Sequence, residues 1–212
     1  MRPGTFSILL PPAYLPPVAY YVAKACAREA TVCYDMPFNK RLKSVHRTTI
    51  SDANGIISLT IPIQKPATTA GTLWSDILIS DHNRWWDIHL TALKSAYGRT
   101  PFFEYYLNDI LPFYSPDVAG QPLTRYLSRY DALLTRLLGV DIVRRQLAPK
   151  SPDTGRTLPL LDYHRTPIEP EQTVPYYQQR TAGATFTDHL SAADLLFNMG
   201  PESMLILAHS RL

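Results

Sequence analysis

FSILLPPAYLPPVAYYVAKACAREATVCYD, residues 6–35, decides the fold. Phe6–Leu10 is a short apolar run with the length and composition of a buried strand. Pro16 and Pro17 then open a helix, because proline is tolerated in the first turn, where its missing N–H would have no partner. Across Val18–Arg28 the residues Val18, Tyr21, Val22, Ala25 and Cys26 recur at i, i+3, i+4, i+7 and i+8, one face of a helix. Thr31–Tyr34 is β-branched and apolar and predicts a second strand ending at Asp35. Strand, helix, strand in this order predicts a parallel pair joined by a crossover, hence an α/β sheet.

Outward from this unit lies a basic segment, NKRLKSVHR, Asn39–Arg47. Thr48–Ser51 and Ile56–Ile63 flank DANG, whose Asn54-Gly55 is a turn signal, so a hairpin attached to the sheet is expected. Ile77–Ile79 is a further short strand candidate. Ser80 or Asp81 can cap a helix running to about Tyr97, with Gly98 just beyond. Phe102–Leu111 and Leu123–Leu138 read as two more helices, Gly139 stops the second, and Val140–Val143 reads as a strand. Lys150–Pro175 carries Pro152, Pro159, Pro167, Pro170 and Pro175, and a loop this long is functional, interfacial or mobile. Near the end, in LSAADLLFNMGPES, Ser191 can cap a helix with Asp194 at the capping-box position. Gly200 can supply the left-handed residue after that helix, and Pro201 can begin the next. The expectation is one α/β domain over residues 1–212. Its mixed sheet has a parallel βαβ start, a β-hairpin insertion and several helices, with a proline-rich arm at about 150–175.

The chain has 212 residues, 45% hydrophobic and 18% charged, a globular composition. Its net charge of +3 is too small to argue for nucleic acid, and no aromatic platform interleaves the basic residues. Cys26 and Cys33 read as two small buried thiols. No stretch approaches the roughly 18 apolar residues of a spanning helix, and the N-terminus lacks the apolar core of a signal peptide. The expectation is a cytoplasmic protein with no membrane span.

Lys40, Arg41, Lys43, His46 and Arg47 fall within eight positions just after the second strand. Ligands of open α/β sheets bind at that C-terminal edge. Donors clustered there suit a small anionic substrate, such as a phosphate, a nucleotide sugar or a carboxylate; the alternative is a solvated basic loop. Tyr14 faces the same edge, ahead of a helix N-terminus that has lost two donors to Pro16 and Pro17. No glycine or lysine lies where a phosphate loop needs them. Asp35 reads either as a general base or as an ion-pair partner of Lys40 or Arg47. His82, Trp85, Trp86 and His89 share one predicted helix. His82 and His89 are about 10 Å apart along its axis, too far for one metal, so no metal site is expected and the set reads as an aromatic core stripe. Tyr176, Tyr177 and Gln178 end the arm, as a lid or as packing. No spacing marks a catalytic triad, and no cofactor is indicated.

These features together resemble the WbqC-like proteins. LLPPAYLPPVAYY is similar to that family's QPxYFPxxxYF segment, with Pro12, Tyr14, Pro16 and Tyr20 in place. Leu9-Leu10-Pro11 stands where a glutamine is usual. Asp35 matches the family's aspartate after the second strand. Phe38–Ile50 is similar to YxKRxxxNRxxI, keeping Lys40, Arg41 and Arg47, with His46 in place of the asparagine. NGIISLTIPI, the tryptophan–histidine helix, AYGRTPFFEYY and LSAADLLFNMGPES match as well, so the resemblance covers nearly the whole chain. It implies a bacterial protein near surface-polysaccharide metabolism, one that modifies or transfers onto sugar-nucleotide precursors, with no cofactor or catalytic residue assigned. The expected function is a transferase or modifying enzyme on a phosphate-bearing substrate. Lys40, Lys43, His46 and Arg47 would hold the anion, Tyr14, Tyr177 and Gln178 would contact the ligand, and Asp35 would be the base. The alternative is a non-catalytic binding or assembly subunit that docks a partner through the arm. A homo-oligomer is compatible with either.

Overall fold

The computed structural model describes residues 3–52, 55–147, 160–162, 173–179 and 185–210. β1 (Ser7–Leu10) leads through the proline-rich corner into α1 (Val18–Cys26) and then β2 (Glu29–Val32). β1 and β2 are parallel, with Ser7 opposite Glu29 and Leu10 opposite Val32. The expected βαβ start is present, with its second strand two residues earlier than Thr31–Tyr34. Cys33, Tyr34 and Asp35 therefore lie beyond the strand.

β3 (Arg47–Asp52) and β4 (Gly55–Thr60) form the expected antiparallel hairpin. It is a separate two-stranded sheet, however, and does not extend the parallel one. Gly55, at φ +125°, opens β4, while Asn54 lies outside the described residues. Ile77–Ile79 makes only single bridges, Ile63 with Ile79 and Leu78 with Pro122, and is not a strand. The next helix is interrupted at its start. Asn83 and Arg84 are left-handed at φ 56° and 47°, so a single 3-10 turn precedes α2 (Trp85–Tyr97). Of the two candidate caps, Ser80 makes the bond, its Oγ accepting from the His82 N–H at 3.2 Å.

α3 (Phe103–Ile110) and α4 (Leu123–Leu137) follow as expected. Gly139, at φ 65°, ends the α4 segment. Val140–Val143, expected as a strand, is instead the first turn of α5 (Val140–Leu147). Val140 and Val143 are buried and Leu147 packs on the core, while Asp141 and Ile142 are exposed. The i, i+3, i+7 spacing buries one helical face, and that outweighs the β preference of valine.

β5 (Leu160–Asp162), from the proline-rich arm, pairs parallel with β1, completing a sheet of order β2-β1-β5. The rest of the arm up to residue 172 lies outside the described residues. α1 sits against the sheet with all nine of its residues buried, Lys24 included. α6 (Ala192–Met199) and α7 (Ser203–His209) close the structure. Ser191 caps α6, accepting from the Ala193 N–H at 3.2 Å. Asp194 does not form the capping box, because its carboxylate accepts from the Tyr176 hydroxyl at 2.8 Å and from Gln178 Nε2 at 3.0 Å.

Gly200 ends α6 at φ 53°, and a Cβ there would meet the Phe102 ring, with Cδ1 at 2.5 Å. Gly200→Ala thus combines left-handed strain with overpacking and is expected to cost about 1–3 kcal/mol. A lowered urea midpoint at unchanged slope checks it; an unchanged midpoint would show that the Phe102 ring yields freely.

Candidate functional site

The corner after β1 makes a cavity wall. Leu15 adopts φ +42°, rare for a bulky side chain and held only where the surroundings over-determine it. Here the Leu15 carbonyl accepts from Thr48 Oγ1 at 2.7 Å. The Ser191 N–H donates to the Thr49 carbonyl at 2.9 Å, and the Ala192 N–H to the Pro16 carbonyl at 2.8 Å. Pro17 and Ser191 form an isolated bridge. The corner, the start of β3 and the turn into α6 are thereby stitched around a cavity of about 220 Å³. Ala13, Leu15, Pro16 and Pro17 form its apolar wall, and Ser44, Thr48, Thr49 and Ser191 bring hydroxyls. Its two charge-bearing side chains are Arg47 and His189. His189 is also left-handed, at φ +62°, so among the described residues two of the four non-glycine residues at positive φ line this cavity.

Backbone donors contribute little to anion binding here. The first N–H groups of α6 are spent on the Pro16 carbonyl, on Ser191 Oγ and on the Ser191 carbonyl. Recognition of a charged ligand therefore falls to side chains. Arg47 projects from β3, and its Nε donates to Thr60 Oγ1 at 2.8 Å. That bond orients the guanidinium and leaves its terminal amino groups for a ligand.

The other expected site residues are dispersed. Tyr14 is fully buried. Its neighbours Ala13 and Leu15 face the cavity, while its own hydroxyl lies 3.0 Å from His89 Nδ1 and 3.0 Å from the Tyr114 hydroxyl. Tyr114 continues to Tyr130 at 3.0 Å. Tyr14, the expected ligand contact, is thus one link of a buried chain of four side chains and does not line the cavity. Burial pushes the Tyr14, Tyr114 and Tyr130 hydroxyls well above the ordinary phenol range. Burial also lowers His89 to about 4, against the opposing effect of a bond to the Thr60 backbone.

His46 is half-buried and bonded through Nδ1 to the Ile61 carbonyl at 3.0 Å; burial, the largest cause, holds it below the ordinary histidine value. Lys40, Arg41 and Lys43 are exposed and do not line the cavity. Asp35 is exposed in the turn after β2, off the cavity, and among the described residues it pairs with neither Lys40 nor Arg47. Tyr177 is exposed. Gln178 is committed to structure: Nε2 donates to the Thr187 carbonyl at 2.9 Å, and Oε1 accepts from the Thr187 N–H at 3.0 Å. With Tyr176 on Asp194 and the Val174 N–H on Ser210 Oγ at 3.0 Å, the described end of the arm packs on its own chain.

Sequence reasoning missed His189, Ser44, Thr48 and Thr49. His189 has a visible context in TDHLS, two residues before the Ser191 cap. Nothing local distinguishes it from other loop histidines, because its role depends on a wall built roughly 175 residues earlier in the chain.

The architecture defines an α/β protein with a cavity at the corner between its first strand and first helix. The chain belongs to the WbqC-like protein family, whose model matches residues 11–155. The match takes in the corner and Arg47 and stops before His189 and α6. No curated protein and no solved structure matches the chain. Among the described residues no helix is long and apolar enough to cross a membrane.

Proposed function

We propose that the protein is a transferase acting on a phosphate-bearing, sugar-nucleotide substrate in bacterial surface-glycan metabolism, and that the cavity beside the proline corner receives that substrate. The observation that carries this reading is the placement of Arg47 on a cavity of about 220 Å³ whose other lining residues are apolar or hydroxyl-bearing apart from His189. One apolar face, several hydroxyls and one oriented cation suit a sugar ring joined to phosphate. Membership of the WbqC-like family supports the link to polysaccharide biosynthesis. Lys40 and Lys43, exposed nearby in sequence, serve as an outer positive field that raises the encounter rate.

Calorimetric titration of UDP-, GDP- and dTDP-hexoses tests the reading. Wild type is expected to bind at least one of them. Arg47→Ala is expected to weaken that binding about 10- to 100-fold, the worth of a charge-assisted phosphate contact. Absence of binding heat from every member of the panel would overturn the assignment.

A further inference from the structure

We propose that His189 is the general base of this cavity, an inference that rests on the transferase reading above. His189 lines the cavity together with Arg47. Its Nε2 lies 3.3 Å from Asp188 Oδ2. The pair is solvent-exposed, at 60% and 61%, and a carboxylate beside Nε2 favours the proton there, with Nδ1 as the basic nitrogen. Asp35, the base expected from sequence, is outside the cavity and has no such geometry.

The backbone argues the same way. His189 is held at φ +62°, and the chain after it is pinned on both sides. Leu190 is 1% exposed, the Ser191 N–H is bonded to Thr49, and the Ala192 N–H is bonded to Pro16. The backbone that carries the imidazole is thereby held at a cavity whose lining includes a second left-handed residue, Leu15. Strained residues persist where their surroundings over-determine them, and they cluster where a side chain must be aimed.

In the step assigned to it, His189 Nδ1 takes the proton of an acceptor hydroxyl while that oxygen forms a bond to the anomeric carbon. The bond between that carbon and the phosphate oxygen breaks. The nucleoside diphosphate leaves with the electron pair, and its added negative charge is met by Arg47. The imidazolium then returns its proton to water.

His189→Asn is the informative variant, because asparagine tolerates the left-handed backbone yet has no basic nitrogen. The full chain is incubated with the same UDP-, GDP- and dTDP-hexoses, and release of nucleoside diphosphate is followed with water or added hexose as acceptor. Wild type is expected to release it. His189→Asn is expected still to bind and to lose about 10²–10⁴-fold in rate. Binding without release by wild type, or release unaffected by His189→Asn, would overturn the role of His189 and leave the binding site standing. Absence of binding by wild type would instead remove the transferase reading itself.

Discussion

Asp131→Ala is expected to be the most damaging single substitution, costing about 3–5 kcal/mol, the loss usual when one partner of a buried ion pair is removed. Lys24 Nζ donates to both carboxylate oxygens of Asp131, at 2.9 and 2.7 Å, and to Thr135 Oγ1 at 2.9 Å. The Tyr21 hydroxyl adds a bond to Asp131 Oδ1 at 3.2 Å. The two side chains are only 7% and 13% exposed, so water cannot take the place of the lost carboxylate. The pair ties α1 to α4, and α1 is the helix on which the parallel sheet rests. Arg144 of α5 also donates to the Lys24 carbonyl, at 2.9 and 3.1 Å. Urea unfolding followed by circular dichroism measures the effect. The double variant Lys24→Met/Asp131→Leu, which removes both charges, is expected to recover most of the loss. A cost below about 1 kcal/mol for Asp131→Ala, the range of exposed pairs, would show that the site is open to solvent.

Acidification is expected to remove roughly 3 kcal/mol of stability through His89. The folded value of about 4 lies below the ordinary histidine value of 6.5, and each unit is worth about 1.4 kcal/mol. Between the two values the unfolded chain binds the proton first, so stability rises with pH across that window. The contribution is complete above about pH 6.5 and is lost progressively as pH falls toward 4. The physical cause is the burial of the ring within the tyrosine chain, where Nδ1 accepts from Tyr14 only while it is unprotonated. Urea midpoints at pH 7, 6, 5 and 4 should fall steadily in wild type and much less steeply in His89→Gln. A smaller slope is expected to remain from His46, which burial shifts in the same direction. Equal slopes in both proteins would assign the acid sensitivity to other groups.

Residues 6–35 alone carry the parallel start, because a proline-led amphipathic helix between two short apolar runs has few other solutions. The hairpin and the α6 ending were legible for the same kind of reason, since an Asn-Gly turn, a serine cap and a left-handed glycine act over a few residues. Val140–Val143 reads as a strand because its three β-branched residues, Val140, Ile142 and Val143, fit either period, and only burial against α1, α4 and α7 selects the helix. The third strand came from an arm that reads as a loop, as a strand of three residues carries no periodic signal of its own. Tyr14 was recognised as special for a sound pattern, but its direction was not encoded locally. The left-handed turn at Leu15 and the bonds to His89 Nδ1 and the Tyr114 hydroxyl draw it inward.

The sequence by itself determined the fold class, the stiff corner at residues 9–21, the basic segment that supplies Arg47, and the family. These rest on local conformational preferences and short-range spacing. Only the tertiary structure decided which of the basic residues reaches the corner, that Tyr14 turns away from it, and that His189 comes to line the same cavity as Arg47. Those placements depend on hydrogen bonds between segments some 30 to 175 residues apart, such as Thr48 to Leu15, Ser191 to Thr49 and Ala192 to Pro16. No local preference can specify a contact whose partner lies so far along the chain.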